Sequence, residues 1–211
     1  MSKVIIYGAG GHAKVIADIF RLKGIEVMGF IDDNPANHDK QVAGIPVLGS
    51  ESYLDTAQQL GIRNIIVGIG NNKVRCEIAN RLKNRGFTLV NAIHPKTVIS
   101  KSVKMGTGIV IVGGAIINAE AVIGDNVIIN SSATIGHECI IFDGAQVSPG
   151  VNIAGNTTIG ERSYVGIGSS IIEGISVGSD TIIGAGAVVT RDIPSNCTAV
   201  GVPAKPIKFH K

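Results

Sequence analysis

Residues 121–147 read AVIGDNVIINSSATIGHECIIFDGAQV, with an aliphatic side chain at every sixth position: Ile123, Ile129, Ile135, Ile141 and Val147. The step continues without a slip in both directions. It starts at Ile99, Met105, Ile111 and Ile117, and runs on through Ile153, Ile159, Val165, Ile171, Val177 and Ile183 to Val189. A period of six fits neither the 3.6-residue helix nor the heptad. It is the mark of a hexapeptide β-helix, a stack of short strands. Glycine repeatedly follows the aliphatic residue, at Gly106, Gly124, Gly136, Gly160, Gly166, Gly178 and Gly184, as suits a corner where a side chain would push the backbone out of place. Two residues before it the side chains are mostly small, among them Ala121, Ala133, Cys139, Ala145, Thr157, Ser163 and Ser169. Large and small inward residues together fill a narrow triangular prism whose coils bury one another's faces.

The first 92 residues follow a different grammar. Lys3 to Tyr7 is an apolar run, Gly8-Ala9-Gly10-Gly11-His12 is a turn, and Ala13 to Lys23 carries apolar residues at helical spacing. A second strand, Glu26 to Ile31, ends in Asp32-Asp33-Asn34-Pro35. A third, Ile65 to Ile69, is closed by Gly70-Asn71-Asn72, and a helix follows over Lys73 to Asn84. Strands alternating with helices predict a small parallel sheet with helices on its faces, a Rossmann-like α/β domain over 1–92. Ile93-His94-Pro95 is the expected joint to a β-helix domain over 93–211.

Gly8-x-Gly10-x-x-Ala13 after a strand, with Asp32 at the end of the next, fits the dinucleotide fingerprint. Such glycines let main-chain N–H groups approach a pyrophosphate at a helix N-terminus, and the acid suits a ribose diol. Ninety residues, however, hold only one mononucleotide-binding half, and no dehydrogenase catalytic set accompanies it. The turn therefore suits a nucleotide-linked sugar better than NAD, although glycines that merely make a tight strand-to-helix turn would read the same way.

Composition narrows the function classes. The formal net charge is +3 and aromatic residues make up 4% of the chain, so there is no basic surface interleaved with aromatics for nucleic acid. No apolar stretch is long enough to span a bilayer, and Met1 leads straight into the first strand without a secretory leader. Cys76, Cys139 and Cys197 are odd in number and lack CxxC spacing. They read as reduced thiols in a cytoplasmic protein with no structural metal. Cys139 neighbours His137 and Glu138, but it occupies the inward small position and is expected to be a buried packing residue rather than a nucleophile.

Taken in order, Tyr7-Gly8-Ala9-Gly10-Gly11-His12, Ile31-Asp32-Asp33, Gly68-Ile69-Gly70-Asn71-Asn72, His137-Glu138 within the hexads and Gly201-Val202-Pro203-Ala204-Lys205 at the end resemble one group over essentially the whole chain. It is the sugar O-/N-acyltransferase family of the hexapeptide-repeat acyltransferases. This family holds the bacterial UDP-4-amino-sugar N-acetyltransferase of bacillosamine biosynthesis and the sialic acid O-acetyltransferases. The resemblance implies a left-handed parallel β-helix of about five coils, three hexads to a coil, and a homotrimer with acetyl-CoA in the groove between adjacent β-helices.

Carried over residue by residue, the resemblance puts sugar-nucleotide contacts on Gly10, Gly11, His12, Asp32, Asp33 and Gly70. It puts the general base on His137, with Glu138 orienting the imidazole and raising its basicity, and acetyl-CoA contacts on Gln146, Ile167 and Ala185. An imidazole suits the task, because an amine or hydroxyl must lose a proton as it attacks a thioester. The chain departs from the bacillosamine-pathway pattern at Gln146, where a histidine is expected; glutamine keeps hydrogen bonding but carries no charge. Lys205 is a candidate for a CoA phosphate. The implied activity is N-acetylation of a UDP-linked 4-amino-4,6-dideoxy sugar. The alternatives are O-acetylation of a sialic acid, a nicotinamide-dependent oxidoreductase and a non-catalytic nucleotide-sugar scaffold.

Overall fold

A computed structural model describes residues 3–210; Met1, from which the first strand was expected to follow directly, lies outside them. The chain forms two compact units, 1–95 and 96–211.

The first unit is built from β1 (Lys3–Tyr7), α1 (Gly11–Leu22), β2 (Glu26–Ile31), β3 (Gln41–Val42), β4 (Ile45–Gly49), α2 (Tyr53–Gln59), β5 (Asn64–Val67), α3 (Asn72–Asn84) and β6 (Thr88–Leu89). The sheet order is β3-β4-β2-β1-β5-β6. All neighbours are parallel except the β3–β4 hairpin. β1 is apolar because it is central: Val4, Ile5, Ile6 and Tyr7 are all buried, as a strand covered on both faces requires. The chain leaves β1 to one side through β2 and returns on the other through β5. That reversal opens a crevice beyond the carboxyl end of β1. Helix α1 begins at Gly11, two residues before the apolar pattern starts, because the glycine turn itself supplies the first helical residues. β4 and α2, absent from the sequence reading, fill the stretch between β2 and β5. Pro46 within β4 masks its strand character, and α2 is only seven residues long.

The second unit follows the six-residue frame without a break. Two-residue strands run from Val98–Ile99 to Val188–Val189, and the second residue of each is the aliphatic position of the repeat. Each pairs in parallel with the strand three hexads on, for example Thr134 with Asn152 and Ile135 with Ile153. Three sheets form the faces of a left-handed β-helix. The aliphatic positions point inward, and Ile135, Ile141, Val147, Ile159 and Val165 are fully buried. So are the small partners Ala133, Cys139, Ala145, Thr157 and Ser163. Hydroxyls at this position bond the next coil: Ser163 Oγ donates to the Gly178 carbonyl at 2.6 Å, and Thr181 Oγ1, at the same place in a later hexad, to that of Pro194 at 2.8 Å. A buried polar residue is tolerated here because it is satisfied.

The glycine after the aliphatic residue is required by packing between coils, not by backbone conformation. A Cβ on Gly136 would stand 2.5 Å from Gly155 N and 2.6 Å from Ala154 C. The left-handed backbone falls two residues later, where Glu120, Asn126, Ser132, Glu138 and Asn156 all have φ between 56° and 61° except Asn156 at 55°. Beyond Val189 the chain closes with an antiparallel hairpin, Cys197–Gly201 against Ala204–Phe209. The terminal Gly-Val-Pro-Ala-Lys motif forms its turn, with a cis peptide between Val202 and Pro203.

Candidate active site

The crevice of the first unit is a cavity of about 410 Å³. Its walls come from the turn after β1 (Gly8 to His12), the segment after β2 (Asp32, Asp33, Asn34) and the loop after β5 (Gly68, Ile69, Gly70). All six residues expected to contact a sugar nucleotide therefore lie around one opening. A Cβ on Gly10, Gly11 or Gly70 would meet nothing within 4 Å, so packing gives no reason for the missing side chains. Gly8 differs, with φ +104° and Ile69 Cγ1 3.0 Å from its notional Cβ; it shapes the turn. Gly68 is held against Ala13, whose Cβ would stand only 2.8 Å from a Cβ on Gly68, so the glycine lets β5 and α1 come together. α1 starts at the turn with Gly10 as its cap and no side chain bonded to its first N–H groups, the arrangement in which a helix end receives an anion.

The two aspartates have distinct duties. Asp32 accepts the Ala9 and Asn34 main-chain N–H groups at 2.8 and 2.9 Å. Asp33 accepts the Tyr7 hydroxyl at 2.6 Å and the Glu51 N–H at 3.1 Å. Burial and the Asp33 carboxylate push the Tyr7 phenol far above its ordinary range, so it remains a donor. His12 Nε2 is buried and has no hydrogen-bond partner among the described residues. Burial, then the charge of Arg75, push its imidazole down to about 4, so it is neutral at physiological pH.

Arg75 was missed by the sequence reading. It is 1% exposed, and its guanidinium donates to the Ile69 and Gly70 carbonyls at 3.1 and 3.2 Å and to Asn72 Oδ1 at 2.9 Å. The signal was present: Arg75, Ile78, Ala79 and Leu82 form one stripe at helical spacing, and all four are buried. An arginine on the apolar stripe of a helix marks a buried polar task.

In the second unit His137 and Glu138 follow Ile135 on one corner of the prism, both exposed. His137 Nδ1 lies 2.9 Å from Glu138 Oε2. A carboxylate at that distance accepts the Nδ1 proton, so that in the neutral ring Nε2 is the nitrogen with the lone pair. Glu138 sits in the left-handed backbone position (φ 57°) that recurs through the hexads. Cys139 is buried, its thiol donates to the Ala154 carbonyl at 3.1 Å, and burial pushes its pKa up. These are the properties of a packing residue.

Gln146 stands on a sheet face, in register with Ile128 and Tyr164; its Oε1 is buried without a hydrogen-bond partner among the described residues. Ile167, 56% exposed, and Ala185, also exposed, occupy consecutive coils of the corner that follows this face. His137 lies on the corner that follows a different sheet. A single copy therefore groups Gln146, Ile167 and Ala185 but sets His137 apart from them. Among the described residues no cluster of His, Cys, Asp and Glu could hold a metal ion, and no helix is long and apolar enough to cross a membrane.

Known proteins carry the same two-part design. Residues 3–82 match the PglD N-terminal domain, and residues 156–191 the bacterial transferase hexapeptide (six repeats). Over 99% of this chain and 98% of the other, the fold superimposes on the perosamine N-acetyltransferase of Caulobacter crescentus with a TM-score of 0.95 and 39% identity. The chain belongs to this hexapeptide-repeat sugar acetyltransferase family. The Caulobacter acetyltransferase was solved with CoA and GDP-perosamine, in one case with a histidine replaced by asparagine. The acetyltransferase domain of PglB from Neisseria gonorrhoeae, solved with acetyl coenzyme A, is 36% identical over 98% of this chain and 99% of its own, with a TM-score of 0.91. The UDP-N-acetylbacillosamine N-acetyltransferase of Bacillus subtilis is 36% identical over 118 residues, so the match spans about half of each protein, 53% of this chain and 51% of the relative. Acetyl transfer from acetyl-CoA, rather than hydride transfer, is the chemistry of the group.

Proposed function

We propose that this acetyltransferase transfers the acetyl group of acetyl-CoA to the amino group of a nucleotide-linked 4-amino-4,6-dideoxy sugar, with His137 as the general base. The observation that carries this reading is the His137–Glu138 pair, which leaves the imidazole Nε2 as a proton acceptor on an exposed corner of the β-helix. His137 Nε2 takes the proton that the sugar nitrogen loses as it bonds to the thioester carbon. The same proton then passes to sulfur as the C–S bond breaks. Nothing in this sequence requires an acyl-enzyme, in keeping with the burial of Cys139.

The first unit holds the nucleotide. The open hydrogens of Gly10, Gly11 and Gly70 and the N-terminus of α1 accommodate a diphosphate, while His12 Nε2 supplies a polar atom still in need of a partner. Asp32 and Asp33 keep unused carboxylate lone pairs for ribose or base N–H and O–H groups. UDP is the carrier that the family resemblance implies. GDP is the second reading, favoured by the Caulobacter enzyme, which binds GDP-perosamine and matches nearly the whole chain.

Acetyl-CoA is assigned to Gln146, Ile167 and Ala185. The exposed Ile167 gives an apolar rail for the pantetheine arm, and the unpartnered Gln146 Oε1 offers an acceptor. Because these residues and His137 occupy different corners of one prism, a groove walled by two copies is the arrangement that uses both. This is the argument for a homotrimer. The direct test is acetyl-CoA consumption by the protein with UDP- and GDP-linked 4-amino sugars and with free and CMP-linked sialic acids. Turnover of a nucleotide-linked amino sugar is the expected result; turnover of sialic acid alone would reassign the reaction to O-acetylation.

A further inference from the structure

Gly155 lies one coil beyond His137, eighteen residues along the chain and buried beneath the imidazole. A Cβ built on Gly155 would stand 2.5 Å from both Cε1 and Nε2 of His137 and 3.0 Å from Cδ2. These distances are far inside van der Waals contact, and the atoms struck belong to the ring, not to the backbone.

The repeat itself does not ask for glycine at this place. The glycines that the coil requires stand one residue earlier in the hexad, where the notional Cβ of Gly136, Gly160 or Gly178 strikes the main chain of the next coil at 2.4–2.5 Å. Gly155 stands two residues after the aliphatic position, where Asp125, Ser131, Asp143, Glu161 and Ser179 all carry side chains. Its backbone is not left-handed either, so alanine could adopt the same φ and ψ. Both ordinary reasons for a glycine are therefore missing. What remains is the ring of His137.

We infer that Gly155 is a positioning residue for acetyl transfer: its missing side chain lets the imidazole lie close against the next coil while Nδ1 stays bonded to Glu138. With a methyl group there, the ring must rotate away, and Nδ1 cannot then keep its 2.9 Å contact with Glu138 Oε2 while Nε2 keeps its direction. Proton transfer depends steeply on where the acceptor atom sits. Substrate binding does not.

This inference rests on His137 being the base, and the experiment separates the two claims. Gly155→Ala, His137→Ala and the double variant are compared with wild type, using acetyl-CoA and the UDP- and GDP-linked 4-amino sugars. In Gly155→Ala, kcat is expected to fall by about tenfold or more while KM for both substrates stays within about threefold. In the His137→Ala background the same substitution should change the residual rate less than about twofold, because no ring is left to displace. The His137 ring resonance, assigned by its loss in His137→Ala, should move in Gly155→Ala, a readout that needs no substrate. Wild-type kcat and an unmoved resonance in Gly155→Ala would overturn the inference; so would an equal loss in the His137→Ala background. A fully active His137→Ala would instead overturn the assignment of the base. Should Gly155→Ala fail to fold, folding of the double variant supports the inference, and its failure shows that the coil itself needs glycine.

Discussion

Oδ2 of Asp32 accepts the main-chain N–H of Ala9 at 2.8 Å, tying the end of the second strand to the glycine turn that follows the first. Its other oxygen accepts the Asn34 N–H. The acid thus holds the shape of the turn before any ligand arrives. Charge-assisted hydrogen bonds of this kind contribute about 1.5–3 kcal/mol each. Replacing Asp32 and Asp33 together by alanine should weaken binding of the UDP- or GDP-sugar at least tenfold. Acetyl-CoA affinity should change little, since its assigned contacts lie in the other unit. Titration calorimetry checks both, and NAD should give no binding heat in the same experiment.

Arg75 braces the opposite lip of the same cavity through the Ile69 and Gly70 carbonyls. Arg75→Met keeps the apolar stem but removes the charge-assisted hydrogen bonds to Ile69, Gly70 and Asn72, a loss of about 1.5–3 kcal/mol. Urea denaturation should register it, and nucleotide-sugar affinity should fall with it. Unchanged stability would mean that the guanidinium does not hold the loop.

Acid should loosen the first unit through His12. Its imidazole is pushed down to about 4 in the fold by burial and by Arg75, against about 6.5 in an unfolded chain. The unfolded chain therefore binds this proton more tightly. The stability linked to His12 is fully present above pH 6.5 and is lost as the pH falls through about 4, a change of about 2–3 kcal/mol. Melting curves between pH 4 and 7 should show that slope in the wild type and a shallower one in His12→Gln.

Cys139→Ala should leave turnover within about twofold of wild type and cost about 1 kcal/mol of stability, the loss of one small buried group. A dead enzyme with intact folding would restore the nucleophile reading that its burial argues against.

The β-helix was legible because its signal is a strict period with two independent checks, the inward aliphatic residue and the small residue two before it. Ile135 and Ala133, for instance, are both fully buried. The glycine after the aliphatic position was read correctly as a corner residue, but its cause, the closeness of the next coil, is invisible without coordinates. The hydrogen-bonding roles of Tyr7, Glu51 and Arg75 escaped the sequence for a related reason. Each acts through partners distant in sequence, as when the Tyr7 hydroxyl meets Asp33 and Glu51, and a single sequence shows only spacing. β3 and α2 were missed because a two-residue hairpin arm and a seven-residue helix leave too few positions to establish a period, and β4 because Pro46 masks its strand character.

The central claim is that His137 removes the acceptor proton, and steady-state kinetics of His137→Ala on correctly folded protein test it most directly. With acetyl-CoA and the UDP- or GDP-linked 4-amino sugar, kcat should fall by about 10² to 10⁴. Acetyl-CoA binding should be retained and Glu138→Ala should lose less, because the proton acceptor remains. Near-normal turnover by His137→Ala would contradict the account.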